Sequence, residues 1–270
     1  MKESKDFIFD KSAIKRNCDE FFSLYDVTKG DVHVMCERKK RHTEEVARNC
    51  LMIAKNMGLD DYNCDLAWVI GEFHDFARFG QAVKTHSFVD SKKYDHAKIG
   101  ANILFVHHLA DDIIPDYDKI TDTDRQIMYK AVLYHNDYAL PGNLTEREKL
   151  FCNIVRDADK LDIFRNVIES GYENVYGCTF DEFKKADISP AMEEAFYEHR
   201  TADYKKRVTK ADYLMAHIAL YFGLVEDSSK QRAKEEGYLK KMMDIEFADP
   251  AVQKKYLKIK EQLKIFDAAF

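Results

Sequence analysis

Glycine and proline are scarce in this sequence, which has 10 glycines and 4 prolines in 270 residues. The long stretches between these breaks repeat apolar residues at spacings of three and four, which is the helical period. No stretch alternates long enough for a sheet, and none approaches the ~18 apolar residues of a membrane span. The N-terminal MKESKDFIFDKS also lacks a signal-peptide core. We therefore expect a soluble, helical, intracellular chain without a membrane partner.

A basic excess is also missing, since the formal net charge is -6 and the pI is near 6.0. This charge argues against binding to nucleic-acid polymers, and a small anionic substrate would have to be attracted locally. The six cysteines include no C-x-x-C pair, which argues against a thiolate zinc site. We expect buried free thiols in a reducing cytoplasm.

Helical periodicity predicts five helices in the first part of the chain, at about 42–57, 65–77, 95–109, 123–137 and 146–166. Residues 171–210 are expected to form shorter helices and loops, followed by helices near 211–225, 230–245 and 250–270. Val32, Val34 and Cys36 could form a tiny strand. Gly100 is expected to allow a close helix approach. We predict a single all-α domain over residues 1–270.

The five predicted helices carry an ordered set of possible ligands, each near an inward stripe or a helix end. A lone histidine on an apolar helix face is usually a core residue, but an ordered series on successive helices points to a shared site. The set is His42, His74, Asp75, His96, His135 and Asp159.

The sequence around these residues reads RHTEEVA, GEFHDFARFGQ, YDHAKIGANIL, LYHND and IVRDADKLDIF. In this order the segments resemble the HD-domain superfamily of metal-dependent phosphohydrolases. The resemblance implies an all-helical HD bundle with motifs at about 30–165 and additional C-terminal helices at about 166–270. It also implies that one metal is held by His42, His74, Asp75 and Asp159. His96 and His135 match the extra histidines of two-metal members, in which the doublet's aspartate bridges both ions.

The resemblance does not extend to the cyclic-di-nucleotide phosphodiesterase branch of the superfamily. That branch has an H-D-x-G-K pattern and a glycine-tyrosine-proline signature, whereas this chain reads His74-Asp75-Phe76-Ala77-Arg78 and lacks the signature. The general phosphohydrolase class remains.

Mixed imidazole and carboxylate ligands favour Mn²⁺, Fe²⁺ or Co²⁺, and they leave Ni²⁺, Zn²⁺ and Mg²⁺ open. Two such ions would activate water for attack on a phosphomonoester or phosphodiester of a nucleotide or other small phosphate compound. We expect His74, Asp75 and Arg78 to be catalytic. Possible substrate contacts are Lys39, Arg78, Gln81, Asn136 and Lys160. The lysines could instead lie on solvated helix faces, and Arg78 could neutralise the ligand pair structurally.

Several alternatives remain open at this stage. Asp157 competes with Asp159 as the closing ligand, and the family pattern favours Asp159. His107, predicted on the same helix face as His96, is interpreted as a core residue. The chain could instead be a regulatory module that binds metal and nucleotide without hydrolysis, or it could perform oxygen chemistry as two-iron members do. The sequence does not indicate the oligomeric state.

Overall fold

The computed structural model describes residues 8–25, 30–91 and 93–268, and these segments are helical with connecting loops. They contain no strand, only an isolated bridge between Ser91 and Tyr94. The predicted all-α fold is thus confirmed. None of the helices in the described segments has the length and apolar character needed to cross a membrane.

The chain divides into two compact units, Met1–Asp159 and Lys160–Phe270. That it forms one domain stays a prediction. The six cysteines are all free and buried, as the sequence predicted.

In its described residues, the first unit contains seven α-helices and the first part of an eighth, which belongs to this unit as far as Asp159. They are α1 (Lys11–Ser23), α2 (Asp31–Asn56), α3 (Asp61–Phe73), α4 (Arg78–Thr85), α5 (His96–Ala101), α6 (Leu109–Ile113), α7 (Asp122–Tyr134) and α8 (Glu146–Ser170).

The second unit contains the rest of α8 and seven further helices in its described residues, most of them short. They are α9 (Tyr172–Tyr176), α10 (Phe180–Lys184), α11 (Pro190–Tyr197), α12 (Lys210–Ala219), α13 (Asp227–Glu236), α14 (Tyr238–Met242) and α15 (Pro250–Phe266). Short helices were predicted for residues 171–210. Within this unit the buried Asp212 accepts backbone hydrogen bonds from Ser189, Val208 and Thr209, which joins the starts of α11 and α12.

Helix α2 begins eleven residues before His42, so the strand suggested for Val32, Val34 and Cys36 is wrong. Gly30 precedes the helix with a φ of 94°, a backbone conformation that glycine adopts readily. Val32 and Cys36 are then buried one helical turn apart, while Val34 is exposed. Val32 and Cys36 therefore mark the buried stripe of the helix, and Val34 lies on its exposed face.

Helices α2 and α3 approach each other closely at Gly71. A Cβ atom on Gly71 would lie 2.5 Å from the Cα and 2.9 Å from the N of Ala47. A Cβ atom on Gly100 would lie 3.5 Å or more from the atoms of Ala77, which is an ordinary van der Waals distance. The close approach predicted for Gly100 is thus found at Gly71.

Helix α5 is shorter than predicted because it continues as a π-helical turn from Asn102 to Val106. The wider turn is closed by a 2.8 Å hydrogen bond from the N–H of His107 to the carbonyl of Asn102. Since a π turn changes the angular position of every later residue, His107 leaves the stripe that begins at His96. His107 is exposed, so its interpretation as a core residue is wrong.

Glu72 is a buried carboxyl group on α3, with 3% of its surface exposed. Burial raises its pKa to about 7, with Lys15 opposing this and Asp19 adding to it. A raised pKa means that the folded chain holds this proton more tightly than the unfolded chain. Stability is therefore lost as pH rises from about 4.5 to 7.

Glu72→Gln should stabilise the metal-free protein at pH 8 by up to about 3 kcal/mol, which corresponds to the change in pKa. At pH 5, where Glu72 is protonated in the folded state, the gain should be much smaller. Urea denaturation at both pH values measures the difference. An equal gain at both values would contradict the raised pKa.

Candidate metal centre

His74 and Asp75 lie in the turn between α3 and α4, between three buried phenylalanines. Phe73, Phe76 and Phe79 are at most 2% exposed. Phe22 of α1 stacks on Phe79 with ring centroids 3.8 Å apart. Because the aromatic residues anchor the turn in the core, the polar pair is left to face the other ligands.

His42 and His74 lie beside one oxygen of Asp75, and Asp159 lies beside His42. The Nε2 atoms of His42 and His74 are each 3.3 Å from Asp75 Oδ2 and 3.2 Å from each other. Asp159 Oδ1 lies 3.2 Å from His42 Nε2. Helix α2, the turn after α3 and helix α8 thus bring four predicted ligands together.

The other oxygen of Asp75 faces a second pair of histidines. Asp75 Oδ1 is 3.1 Å from His96 Nε2 and 3.6 Å from His135 Nε2. The two ring nitrogens are 3.0 Å apart. His96 opens α5 and His135 directly follows α7. Asp75 is therefore shared by two groups that could each hold a metal ion.

The outer ring nitrogens fix which side of each imidazole carries the proton. His74 Nδ1 lies 2.7 Å from the carbonyl oxygen of Gly71, and His135 Nδ1 lies 2.8 Å from that of Val132. A carbonyl oxygen only accepts hydrogen bonds, so each Nδ1 donates. The Nε2 atom of each neutral ring then presents a lone pair toward the centre.

His96 has the same orientation, because its Nδ1 lies 2.7 Å from the Asp90 carboxylate. In neutral rings, the lone pairs of His96 and His135 would face each other at the 3.0 Å separation of their Nε2 atoms. A shared cation relieves that repulsion. Inward lone pairs with outward hydrogen bonds are the arrangement typical of metal-binding histidines, so the donor set fits divalent metal ions.

The two carboxylates are held in their ionised form. Burial alone would raise the pKa of Asp75, but the Lys39 ammonium, His74 and further imidazole hydrogen bonds hold it well below its usual value. Burial also acts against ionisation of Asp159, yet the hydrogen bond from His42 and the charges nearby hold its pKa below the usual range. Both groups are available as anionic ligands at neutral pH.

His135 is neutral over the physiological pH range. Burial lowers the pKa of His135 to about 4. His96 and His74 act in the same direction, and the hydrogen bond to Asp75 opposes the shift. A neutral imidazole is the form that binds metal.

Two predicted substrate contacts, Arg78 and Gln81, lie on α4 and have protein partners in the structure. Arg78 donates through Nη1 to Gln81, to the Phe88 carbonyl and to Asp90, and through Nε to Asp75. Gln81 is fully buried and donates to the loop at Asp90. Burial does not fit the predicted substrate contact of Gln81. The contact of Arg78 with Asp75 agrees with the structural alternative, and its catalytic and substrate-binding role stays a prediction.

The remaining predicted contacts have different surroundings. Lys39 pairs with Asp75 Oδ2 at the edge of the centre, with 15% of its side chain exposed. Asn136 is exposed and donates to Asp90 over 3.4 Å. Lys160 is 8% exposed and belongs to the second unit. Burial argues against a substrate contact through Lys160.

The position of Asp159 favours it over Asp157 as the closing ligand. Asp159 reaches His42, and 19% of its side chain is exposed. Asp157 lies two residues earlier on the helix, hence toward another face, and is fully buried. The ligand set itself stays a prediction.

Two neighbours of the centre were not anticipated from the sequence. Asp90 lies in the loop before α5 and contacts His96. Arg156 on α8 donates to the carbonyls of Tyr134 and His135 at the end of α7. Neither residue stands in a recognisable motif, and a contact between a loop and a distant helix leaves no periodic signal.

The comparisons with known proteins agree with this geometry. The family model described as HD domain matches residues 40–163. The searches of curated proteins and of solved structures found no match. The matched segment contains all six predicted ligands and both metal-binding groups. Residues 40–163 therefore carry an HD domain, in agreement with the resemblance that the sequence motifs predicted.

Proposed function

We propose that the chain uses two divalent metal ions to hydrolyse a phosphomonoester or phosphodiester of a small compound such as a nucleotide. The observation that carries this proposal is the position of the Asp75 carboxylate between two pairs of histidines. One of its oxygens faces His42 and His74, and the other faces His96 and His135. Bound divalent ions supply two effects, a lowered pKa of water and neutralisation of charge on the phosphate.

The protein residues provide an oriented histidine set for these ions. The Nδ1 hydrogen bonds of His74, His96 and His135 fix the rings, so little reorganisation is needed when a cation binds. Asp159 has the most exposed side chain of the centre's ligands, with 19% of its surface accessible. We infer that the substrate approaches from the side of Asp159.

Cationic side chains beside the centre favour an anionic substrate. Lys39 contacts Asp75, and the charged groups of Lys39, Arg38 and Arg78 lie 5.5–5.9 Å from the Phe88 ring centroid. Because Arg78 donates to several protein acceptors, Lys39 is the stronger candidate for a phosphate contact. These groups create a local positive region in a chain with a net charge of -6.

A small phosphorylated partner suits this arrangement better than a nucleic-acid polymer, because the overall charge is acidic. A cytoplasmic location stays a prediction from the cysteine pattern.

Restoring metal to stripped protein tests the proposed activity. Purified chain is treated with chelator and reloaded separately with Mn²⁺, Fe²⁺, Co²⁺, Ni²⁺, Zn²⁺ or Mg²⁺. It is then assayed with p-nitrophenyl phosphate, bis-p-nitrophenyl phosphate and a panel of nucleotides. We expect turnover with at least one metal and none in the stripped protein.

Asp75→Asn serves as the control, since it keeps the shape of the side chain but loses the charge that both groups share. Its activity should fall to background. A fully loaded wild-type protein without turnover on any substrate would refute the hydrolase. Tight nucleotide binding in calorimetry without product would instead identify the regulatory module.

A further inference from the structure

The Asp90 carboxylate contacts the polar side chains of four residues of the first unit around the second histidine pair, namely Arg78, Gln81, His96 and Asn136. Its Oδ2 lies 2.7 Å from His96 Nδ1 and accepts a 3.4 Å hydrogen bond from Asn136. Its Oδ1 accepts from Arg78 Nη1 at 3.1 Å and from Gln81 Nε2 at 3.3 Å. The carboxylate thus ties the loop before α5 to α4 and to the end of α7.

These contacts close a ring with the shared carboxylate. Arg78 joins Asp90 to Asp75 through its Nε atom, which is 3.4 Å from Asp75 Oδ1. His96 joins Asp90 to the same Oδ1 atom through its own Nε2, at 3.1 Å. Displacement of Asp90 would therefore act on His96 directly and on Asp75 through Arg78.

His96 depends on Asp90 because of its place in the helix. His74 and His135 follow the last residues of α3 and α7, so each finds a backbone carbonyl three residues earlier. His96 is the first residue of α5, where no preceding helical turn offers a carbonyl. Its Nδ1 proton needs an acceptor from elsewhere in the fold, and Asp90 supplies it.

We propose that Asp90 is a positioning residue that holds His96 with its Nδ1 protonated and its Nε2 directed at the second metal ion. This inference rests on the two-ion centre of the proposed function. Mutation of a residue that hydrogen-bonds the outer nitrogen of a metal-binding histidine typically lowers the metal affinity by about 10–100-fold.

Titration of the metal-free chain with Mn²⁺ tests the inference, with free Mn²⁺ followed by electron paramagnetic resonance. Wild type should bind two ions. Asp90→Ala should bind the second ion about 10–100-fold more weakly, with little change in the first. Asp90→Asn should show a smaller loss, because its amide oxygen can still accept from His96. Circular dichroism checks that each variant is folded.

Asp95→Asn is the matched control, since Asp95 caps α5 immediately before His96 by accepting from Lys98 N–H. Asparagine caps a helix about as well as aspartate, so both affinities should stay at the wild-type values. In a His96→Ala background, Asp90→Ala should weaken binding of the second ion much less than it does in the wild-type background. Additive losses in this cycle would overturn the proposal.

Nitrogen-15 chemical shifts of the His96 ring give a second readout that needs no metal. The metal-free wild type should show a protonated Nδ1, and Asp90→Ala should lose this preference. Unchanged shifts together with unchanged affinities would overturn the role of Asp90. Binding of one ion by wild type would contradict the two-ion centre, while the shifts would still decide whether Asp90 orients His96.

Discussion

Replacing Asp75 by alanine should remove both metal ions, whereas His135→Ala should remove one. The reason is geometric, since Asp75 gives one oxygen to each histidine pair while His135 contacts only one of those oxygens. Turnover of Asp75→Ala should fall on the order of 10³-fold or more, because several kcal/mol of charge stabilisation is lost. Elemental analysis after gel filtration measures the ions retained.

His74→Ala provides an informative comparison, since His74 lies in the first group and also contacts Asp75. Because His74, like His135, contacts only one of the two oxygens, we expect its metal content to match that of His135→Ala and to exceed that of Asp75→Ala. Equal metal content in Asp75→Ala, His74→Ala and His135→Ala would refute a shared carboxylate.

Replacing Gly71 by alanine should destabilise the protein, although alanine favours a helix interior by about 1 kcal/mol. The added methyl group would lie 2.5 Å from the Cα of Ala47 and 3.1 Å from Cys50 Sγ. The closest atom belongs to the backbone, so α2 and α3 must separate. Overpacking of this kind typically costs about 1–3 kcal/mol. Urea denaturation of the metal-free protein measures the loss.

The same substitution should weaken metal binding, because His42 is on α2 and His74 follows α3. Gly142→Ala is the matched control, since a Cβ atom there meets nothing within 4 Å. It should leave both stability and metal affinity close to wild type. A Gly71→Ala protein that is more stable than wild type would contradict the close helix approach.

The order of the ligands was predictable because each stands in a local motif within a helix or directly after one. His42, His74 and His135 could be placed by helical periodicity and by the resemblance of their surroundings to a known family. The helix that carries His42 was predicted too short, because residues 31–41 carry many charges. Within residues 31–41, only Val32 and Cys36 are buried.

Contacts between segments distant in the sequence could not be predicted in this way. The π turn after His96 follows from packing, and it moved His107 to the surface. The burial of Gln81 and the link from Asp90 to His96 depend on how the loop folds back over α4. A single sequence shows such residues only as unremarkable polar positions.

Anomalous diffraction from crystals of the Mn²⁺-loaded protein tests the central claim most directly. We predict two peaks on opposite sides of the Asp75 carboxylate, one beside His42 and His74 and the other beside His96 and His135. A peak on one side only, or peaks away from Asp75, would contradict the shared two-metal centre.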